Sequence, residues 1–498
     1  MEERRPEVHE DEEHRYVLRL GAEIATKSRR TRSHFLEVLN ANVRDALAQE
    51  DPSATVEAEW SRIVVHSRSR HMPAVLARVF GLSSISPYEA VVPAQLDRIV
   101  EEGKRLYSER VQGKRYAVRA RRSGRQPFSS HDIHVELGAA LNPGAEVDLD
   151  DPEVRVEVEV RDEEAYLFTE RIPGAGGLPL GVEGRAVALI SGGYDSAVAA
   201  SLMLRRGVEL DYVFCNLGGE AYERAVLQVA KVVADDWSYG SRPRLFTLGF
   251  AEAVEALREK VRPGYIQVVL KRLMYRAASG IAEKLGAEAL VTGEALGQVS
   301  SQTLKNLRAI EPAASLPVFQ PLIGFDKEQI IKRARVLGTA ALSEKVREYC
   351  AIAPGKPVTA ASVEAVDREE SKLDPAILER ALTGATVHDL RALTPGDLVA
   401  PYLFTTEIPE DAVVLDCRSE GEYRHWHLPG AKHRSEWELL QNFKKLDRSR
   451  VYVLYCARGI QTAYIAERMQ REGYEAYSLR EGMRGVLSLA RSRGMVMP

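Results

Sequence analysis

Two runs of residues in this chain have the types and spacing to do chemistry. The first is Ser191-Gly192-Gly193-Tyr194-Asp195-Ser196. Glycine lets a backbone approach an anion with no side chain in the way. A strand, a glycine turn and a helix in succession aim unpaired N–H groups at that anion. No Lys-Ser or Lys-Thr pair follows the glycines, so this is not the Walker loop. Asp195 could hold a magnesium ion on a bound pyrophosphate, or simply cap the following helix. The second run is Cys456-Ala-Arg-Gly459-Ile-Gln461-Thr462, a loop before a helix. A cysteine there faces free N–H groups and a helix N-terminus, which stabilise a thiolate or persulfide anion.

These groups need a frame. Ala186–Ile190 is apolar and reads as a buried parallel strand, with Ser196–Leu204 as the helix after it. Strands at Asp211–Asn216, Arg244–Leu248 and Ala289–Thr292 alternate with helices at Ala221–Asp235, Ala251–Lys260 and Tyr265–Leu285. That alternation predicts a doubly wound parallel sheet, in which ligands bind beyond the carboxyl ends of the strands. At those ends lie the glycine turn, Asn216-Leu-Gly-Gly219 and Thr292–Thr303. Near the C-terminus, Val451–Tyr455 reads as a buried strand leading into the Cys456 loop.

The first half of the chain carries less chemistry. Met1–Arg15 is a charge run without the apolar core of a secretory signal, and is expected to be a solvated tail. A strand at Tyr16–Leu20, a helix at Ser33–Gln49, strands at Val56–Glu59 and Ile63–His66 and a short helix at Ala74–Val79 suggest a ferredoxin-like unit. A second α+β unit follows, with a helix at Pro93–Glu109, a strand at Tyr116–Arg122 and a hairpin of Val154–Val160 with Ala165–Thr169. Between Gly103 and Gln126 there are nine basic residues and one acidic, Glu109. Such a density fits a phosphate-contacting surface, or a solvated strand face. His131 and His134 read as a helix start and a surface face, since no cysteine lies near to complete a zinc set.

The totals bound the rest. A chain of 498 residues, 45% hydrophobic and 28% charged, is expected to form several soluble domains with no membrane association. The net charge of −4 gives no global attraction to nucleic acid, so any such contact must be local. The four cysteines, Cys215, Cys350, Cys417 and Cys456, are too few for a disulfide scaffold and point to a reducing, cytoplasmic setting. Cys215 lies in an apolar strand and Cys417 at a strand end, and both read as structural. Cys350 follows Tyr349 in a polar-flanked stretch.

Several resemblances follow from these residues. The Ser191–Ser196 run resembles the PP-loop of ATP pyrophosphatases, which implies cleavage of ATP between the α and β phosphates. Val118-Arg119-Ala-Arg121-Arg122-Ser-Gly124 with Phe128-Ser129-Ser130 resembles a THUMP domain, an RNA-binding module; Arg119, Arg121, Arg122 and Arg125 would then face RNA. Val413–Arg418, Glu422-Tyr423 and His427–Ala431 resemble a rhodanese domain. Many rhodaneses have arginine where Gln461 stands, which weakens any expectation of thiosulfate activity but not of sulfur carriage. Finally, Thr292-Gly293-Glu294-Ala-Leu-Gly297-Gln298-Val-Ser-Ser301-Gln302-Thr303-Leu-Lys-Asn306 resembles the tRNA uracil 4-sulfurtransferase family. That resemblance implies ATP contacts at Leu189, Ile190, Ser191, Gly192, Gly193, Asp195, Ser196, Phe214, Cys215, Lys271, Gly293 and Gln302. It also implies that Cys350 forms a transient disulfide with the sulfur carrier Cys456.

The expected architecture is a multidomain α/β and α+β chain. It has a tail at 1–14, a ferredoxin-like domain at 15–80 and a THUMP domain at 81–172. A doubly wound PP-loop domain at 173–392, a linker at 393–407 and a single rhodanese-like domain at 408–498 complete it. The expected activity is ATP- and Mg2+-dependent formation of 4-thiouridine in tRNA, with a cysteine desulfurase as donor. A sulfur-carrier protein of thiamine synthesis is a second expected acceptor. The alternatives are thiolation of another tRNA base, sulfur carriage for thiamine alone, or an RNA-docking protein with a regulatory PP-loop. The oligomeric state is left open, a homodimer included.

Overall fold

The computed structural model describes residues 13–58, 62–217, 220–344, 356–398, 403–435, 438–439, 442–457 and 460–495. The chain divides into two units, 11–182 with 205–207, and 183–204 with 208–498.

The first unit contains two five-stranded sheets. In one, Ile172–Pro173, Leu82–Tyr88, His14–Leu20, Arg62–Ser67 and Thr55–Ala58 are antiparallel neighbours in that order. The Arg29–Glu50 helix buries Phe35, Leu39, Val43 and Leu47, and Ser28 caps it by accepting the Thr31 N–H. Leu82–Tyr88 lies beyond the residue-80 boundary expected from sequence, yet it pairs with His14–Leu20 in the ferredoxin-like sheet. The other sheet runs Ala90–Pro93, Glu164–Phe168, Val154–Arg161, Arg115–Ser123, Glu146–Val147. Its two helices, Leu96–Val111 and Ser130–Leu141, pack so closely that a Cβ on Gly103 would lie 2.6 Å from Leu137 Cδ1. A capping box of Ser129 and Asp132 starts the second helix.

The second unit holds the Ser191–Ser196 turn and Cys456. Its six-stranded sheet runs Val318–Phe319, Ala289–Val291, Arg185–Leu189, Glu209–Asn216, Arg244–Gly249, all parallel, and ends on an antiparallel edge strand, Thr386–Asp389. The Ile266–Leu285 helix covers it with Val269, Leu273, Tyr275 and Ile281, and ends at Gly286 in the left-handed conformation. A second sheet of five parallel strands follows, in the order Phe404–Thr405, Glu475–Leu479, Val451–Tyr455, Val413–Asp416, Lys432–His433. The stretch expected as a linker is therefore partly structured: Pro395–Leu398 is helical and Phe404–Thr405 pairs with Glu475–Leu479. Among the described residues, no helix is long and apolar enough to cross a membrane.

Candidate active site

The glycine turn sits at the carboxyl end of Arg185–Leu189. Ile190 still donates its N–H to Val213 O at 2.9 Å, so the sheet holds the chain up to the turn. Gly192 then takes a φ of +77°, a conformation that side chains resist. The Ser196 hydroxyl accepts the Ser191 N–H at 3.2 Å and donates to Gly193 O at 3.2 Å, closing the turn on itself. Tyr222 donates to Ser191 O at 3.1 Å and stands edge-on to Phe214, with ring centroids 4.8 Å apart. Leu189 ends its strand, Ile190 follows it and Phe214 lies near the end of the next, with Ile190 and Phe214 buried.

Gly293 follows the neighbouring strand Ala289–Val291. A Cβ there would lie 2.8 Å from both Asp195 C and Ser196 N. Only glycine lets the two loops meet. This contact brings the Thr292–Thr303 string against the start of the Tyr194–Leu204 helix.

Charge is arranged around that contact. The carboxylate of Asp195 accepts from Lys327 Nζ at 2.9 and 3.2 Å and from Gln298 Nε2 at 2.7 Å. Lys327 is the first residue of the Lys327–Leu337 helix, whose capping box pairs Asp326 with Gln329. Its ammonium also lies 5.4 Å from the Tyr194 ring centroid. Sequence reasoning passed over Lys327; the only local signal was a lysine directly after a helix-capping aspartate. Lys271 donates to Glu294 Oε1 at 3.1 Å. Burial pushes the Glu294 carboxyl up, but the Lys271 charge and hydrogen bonds outweigh it and hold it below its ordinary range. Cys215 is buried, and burial pushes its thiol well up, as suits an inert side chain.

The residues fit a nucleotide. N–H groups and two lysines offer positive charge to phosphates. Gln302 is buried, and its Oε1 has no hydrogen-bond partner. A buried acceptor left this way matches a donor such as an adenine amino group. For magnesium, Asp195 is the candidate ligand; among the described residues, no cluster of three or more His, Cys, Asp or Glu could hold a metal by itself. The remaining oxygens would come from the nucleotide's phosphates and from water.

Asn306 ties this site to the chain that follows residue 355. Fully buried, it donates to Ser300 O at 2.7 Å and Val358 O at 2.8 Å, and accepts from Ala361 N at 2.9 Å. Thr303 Oγ1 donates to Thr359 O at 2.7 Å. Cys350 lies outside the described residues.

Cys456 directly follows the Val451–Tyr455 strand. It is buried, with Sγ 3.5 Å from Thr462 Oγ1, which is 2.7 Å from Ser478 Oγ. The Ile460–Arg471 helix begins four residues on. Arg418 and Asp416, at the end of the neighbouring strand, form a buried pair at 2.7 Å, and Arg418 also donates to Trp426 O at 2.7 Å.

In the first unit, Arg121, Arg122 and Arg125 are exposed. Arg119 donates to Leu149 O, and Arg122 to Gly124 O at 3.0 Å and Gln126 Oε1 at 3.1 Å. His134, expected on a surface face, is half-buried. Its Nε2 accepts the Ala120 N–H at 2.7 Å, on a strand edge that Glu146–Val147 is too short to cover. Burial, Arg119 and His131 hold its pKa below the ordinary imidazole range.

The fold and the turn together define the class: a PP-loop α/β enzyme unit joined in one chain to ferredoxin-like, THUMP and rhodanese-like domains. Family models match each part: a ThiI ferredoxin-like domain over 15–86, a THUMP domain over 93–170, Thiamine biosynthesis protein (ThiI) over 181–374, and a rhodanese-like domain over 405–489. Curated relatives named tRNA sulfurtransferase include one from Pyrobaculum aerophilum, 39% identical over 93% of this chain and 96% of its own length. Another, from Erwinia tasmaniensis, is 37% identical over 93% of this chain and 98% of its own. The chain belongs to the tRNA sulfurtransferase family. Among solved structures, a 4-thiouridine synthetase–RNA complex with bound ATP is 30% identical, with a TM-score of 0.65, over 76% of this chain and 99% of that one. PH1313 from Pyrococcus horikoshii is 27% identical, with a TM-score of 0.53, over 65% of this chain and 99% of its own.

Proposed function

We propose that the protein uses ATP to convert a uridine of tRNA to 4-thiouridine, at position 8 as in its family. The observation that supports this reading is the close approach of Gly293 to Asp195 and Ser196, which joins the PP-loop to the Thr292–Thr303 string, with Lys327 paired to Asp195 and Lys271 to Glu294 of that string. Bound ATP supplies the adenylyl group that makes uridine O4 a leaving group, with AMP and pyrophosphate as products. The turn N–H groups and Lys327 stabilise the charge of the departing pyrophosphate, and Asp195 would hold the magnesium ion that accompanies it. Leu189, Ile190 and Phe214 enclose the base, and Gln302 orients it.

Sulfur arrives on Cys456 as a persulfide from a cysteine desulfurase. It attacks C4 directly or as released sulfide, and Cys350 closes a disulfide with Cys456 that a cellular reductant reopens. Arg119, Arg121, Arg122 and Arg125 hold the tRNA backbone. Changing Cys456 to alanine should abolish thiolation while tRNA-dependent pyrophosphate release continues. Full thiolation by that variant, with the desulfurase as donor, would reject the role. A second output is favoured by the family description matched over 181–374, Thiamine biosynthesis protein: Cys456 also passes sulfur to a carrier protein for thiazole formation. Failure of the gene to restore growth of a thiamine auxotroph would remove that branch.

A further inference from the structure

The strand ending in Asp416 and the strand ending in Tyr455 are parallel neighbours, and these two residues are partners in register. One residue on, Cys417 donates its N–H to Tyr455 O at 2.8 Å, so the pairing continues and sets Cys417 beside Cys456. Their side chains leave the sheet on the same side. Cys417 and Cys456 share one apolar cluster with Leu415, Tyr452 and Leu454, while Val414, Val453 and Tyr455 pack in another. Both cysteines are buried. Adjacent strands lie about 4.8 Å apart, within the span of about 4.4–6.8 Å between Cα atoms that a disulfide bridges. Each cysteine sits just past its strand's last residue.

We infer that Cys417 is a second resolving thiol for the Cys456 persulfide, allowing the rhodanese-like domain to release its sulfur as sulfide without Cys350. This rests on the sulfur-carrier reading of Cys456. Cys417 Sγ, as thiolate, attacks Cys456 Sγ. A Cys417–Cys456 disulfide forms, the bond from Cys456 Sγ to the outer sulfur breaks, and that sulfur leaves with the electron pair as hydrosulfide. The thiol proton of Cys417 passes to solvent. The outer sulfur is reduced by two electrons as the two cysteine sulfurs are oxidised, so no external oxidant is needed. A dithiol reductant reopens the bond.

The test uses the full chain carrying Cys350→Ser, with and without Cys417→Ser, charged with inorganic polysulfide and freed of excess. With Cys417 present, sulfide should be released and a peptide linking Cys417 to Cys456 should appear. In the double variant the extra sulfur should remain on the Cys456 peptide and be lost at least about tenfold more slowly. Equal loss from both chains without a linked peptide would overturn the inference. A parallel treatment of the Cys350→Ser chain with diamide examines the thiol pair alone, and no cross-link there would also overturn it. A cross-link with diamide, but no sulfur taken up by Cys456 in either chain, would instead reject the carrier reading and leave the pair standing. Cys417→Ala, with thermal unfolding compared to the parent, excludes an effect of serine on folding.

Discussion

Lys327 places its ammonium 2.9 Å from Asp195 Oδ1, joining the first residue of one helix to the first turn of the PP-loop helix. On the proposed reading of the turn as a phosphate site, this ion pair has two uses. It holds both groups in place, and it leaves the lysine ready to turn to a more negative partner. Changing Lys327 to alanine or Asp195 to asparagine should therefore lower tRNA-dependent pyrophosphate release by about 10²–10³-fold, the scale for losing one preorganised charge-stabilising group. Binding of tRNA measured without ATP should be unchanged. Pyrophosphate release near the parent rate in Lys327→Ala would show that the pair is structural only.

Gly293 offers a sharper steric test. Its added Cβ would meet backbone, at 2.8 Å from Asp195 C and Ser196 N, and backbone cannot rotate away. Gly293→Ala should cost about 1–3 kcal/mol as overpacking and open the turn. The expected outcome is a lower melting temperature and loss of the stabilisation that ATP confers, read by thermal unfolding with and without nucleotide. An alanine variant that ATP stabilises as well as it does the parent would mean the loops do not meet this closely in solution.

How much of this was legible before the fold was known differs by residue. The PP-loop stood out as a strand, a glycine turn and a helix in succession, Gly293 was named only through the family resemblance of the Thr292–Asn306 string, and the Ala251–Lys260 helix fell where its spacing put it. Lys327 was not, because a helix-initial lysine is ordinary until a carboxylate from 132 residues away is found beside it. The edge strand Thr386–Asp389 carries only a weak pattern, with Val387 exposed, and its pairing with Arg244–Gly249 is decided by the sheet. The register that sets Cys417 beside Cys456 is likewise a long-range property, invisible in either strand alone.

Acid should act where the Val363–Glu370 helix pairs with Arg272 and Arg276 of the helix that carries Lys271. Glu369 accepts from Arg262 Nε at 2.6 Å, Arg262 N at 3.0 Å and Lys372 Nζ at 2.6 Å. Burial raises its pKa, but these donors outweigh that and hold it at about 2, against an ordinary 4.5. A carboxylate depressed in the folded state contributes stability that is complete above its unfolded pKa and is lost as pH falls through the folded one. Glu369→Gln should thus be less stable than the parent above pH 4.5, with the gap closing as pH falls toward 2. Denaturant titrations of both proteins, following the transition that ATP shifts, would measure this. A gap that stays constant with pH would assign the effect to packing.

The basic strand should reveal itself through salt. Arg121 and Arg125 are exposed, whereas Arg119 and Arg122 also hold the local backbone through Leu149 O and Gly124 O. If Arg121 and Arg125 contact phosphates, each alanine substitution should weaken tRNA binding. Each should also flatten the plot of log affinity against log salt by about one unit, because one fewer counterion is displaced. Arg119→Ala should weaken binding too, but with a loss of thermal stability that the other two lack, since it frees the 149 carbonyl. Filter binding across a salt series, alongside thermal unfolding, separates these cases; an unchanged slope for Arg121→Ala and Arg125→Ala would leave this face solvated and put the tRNA elsewhere.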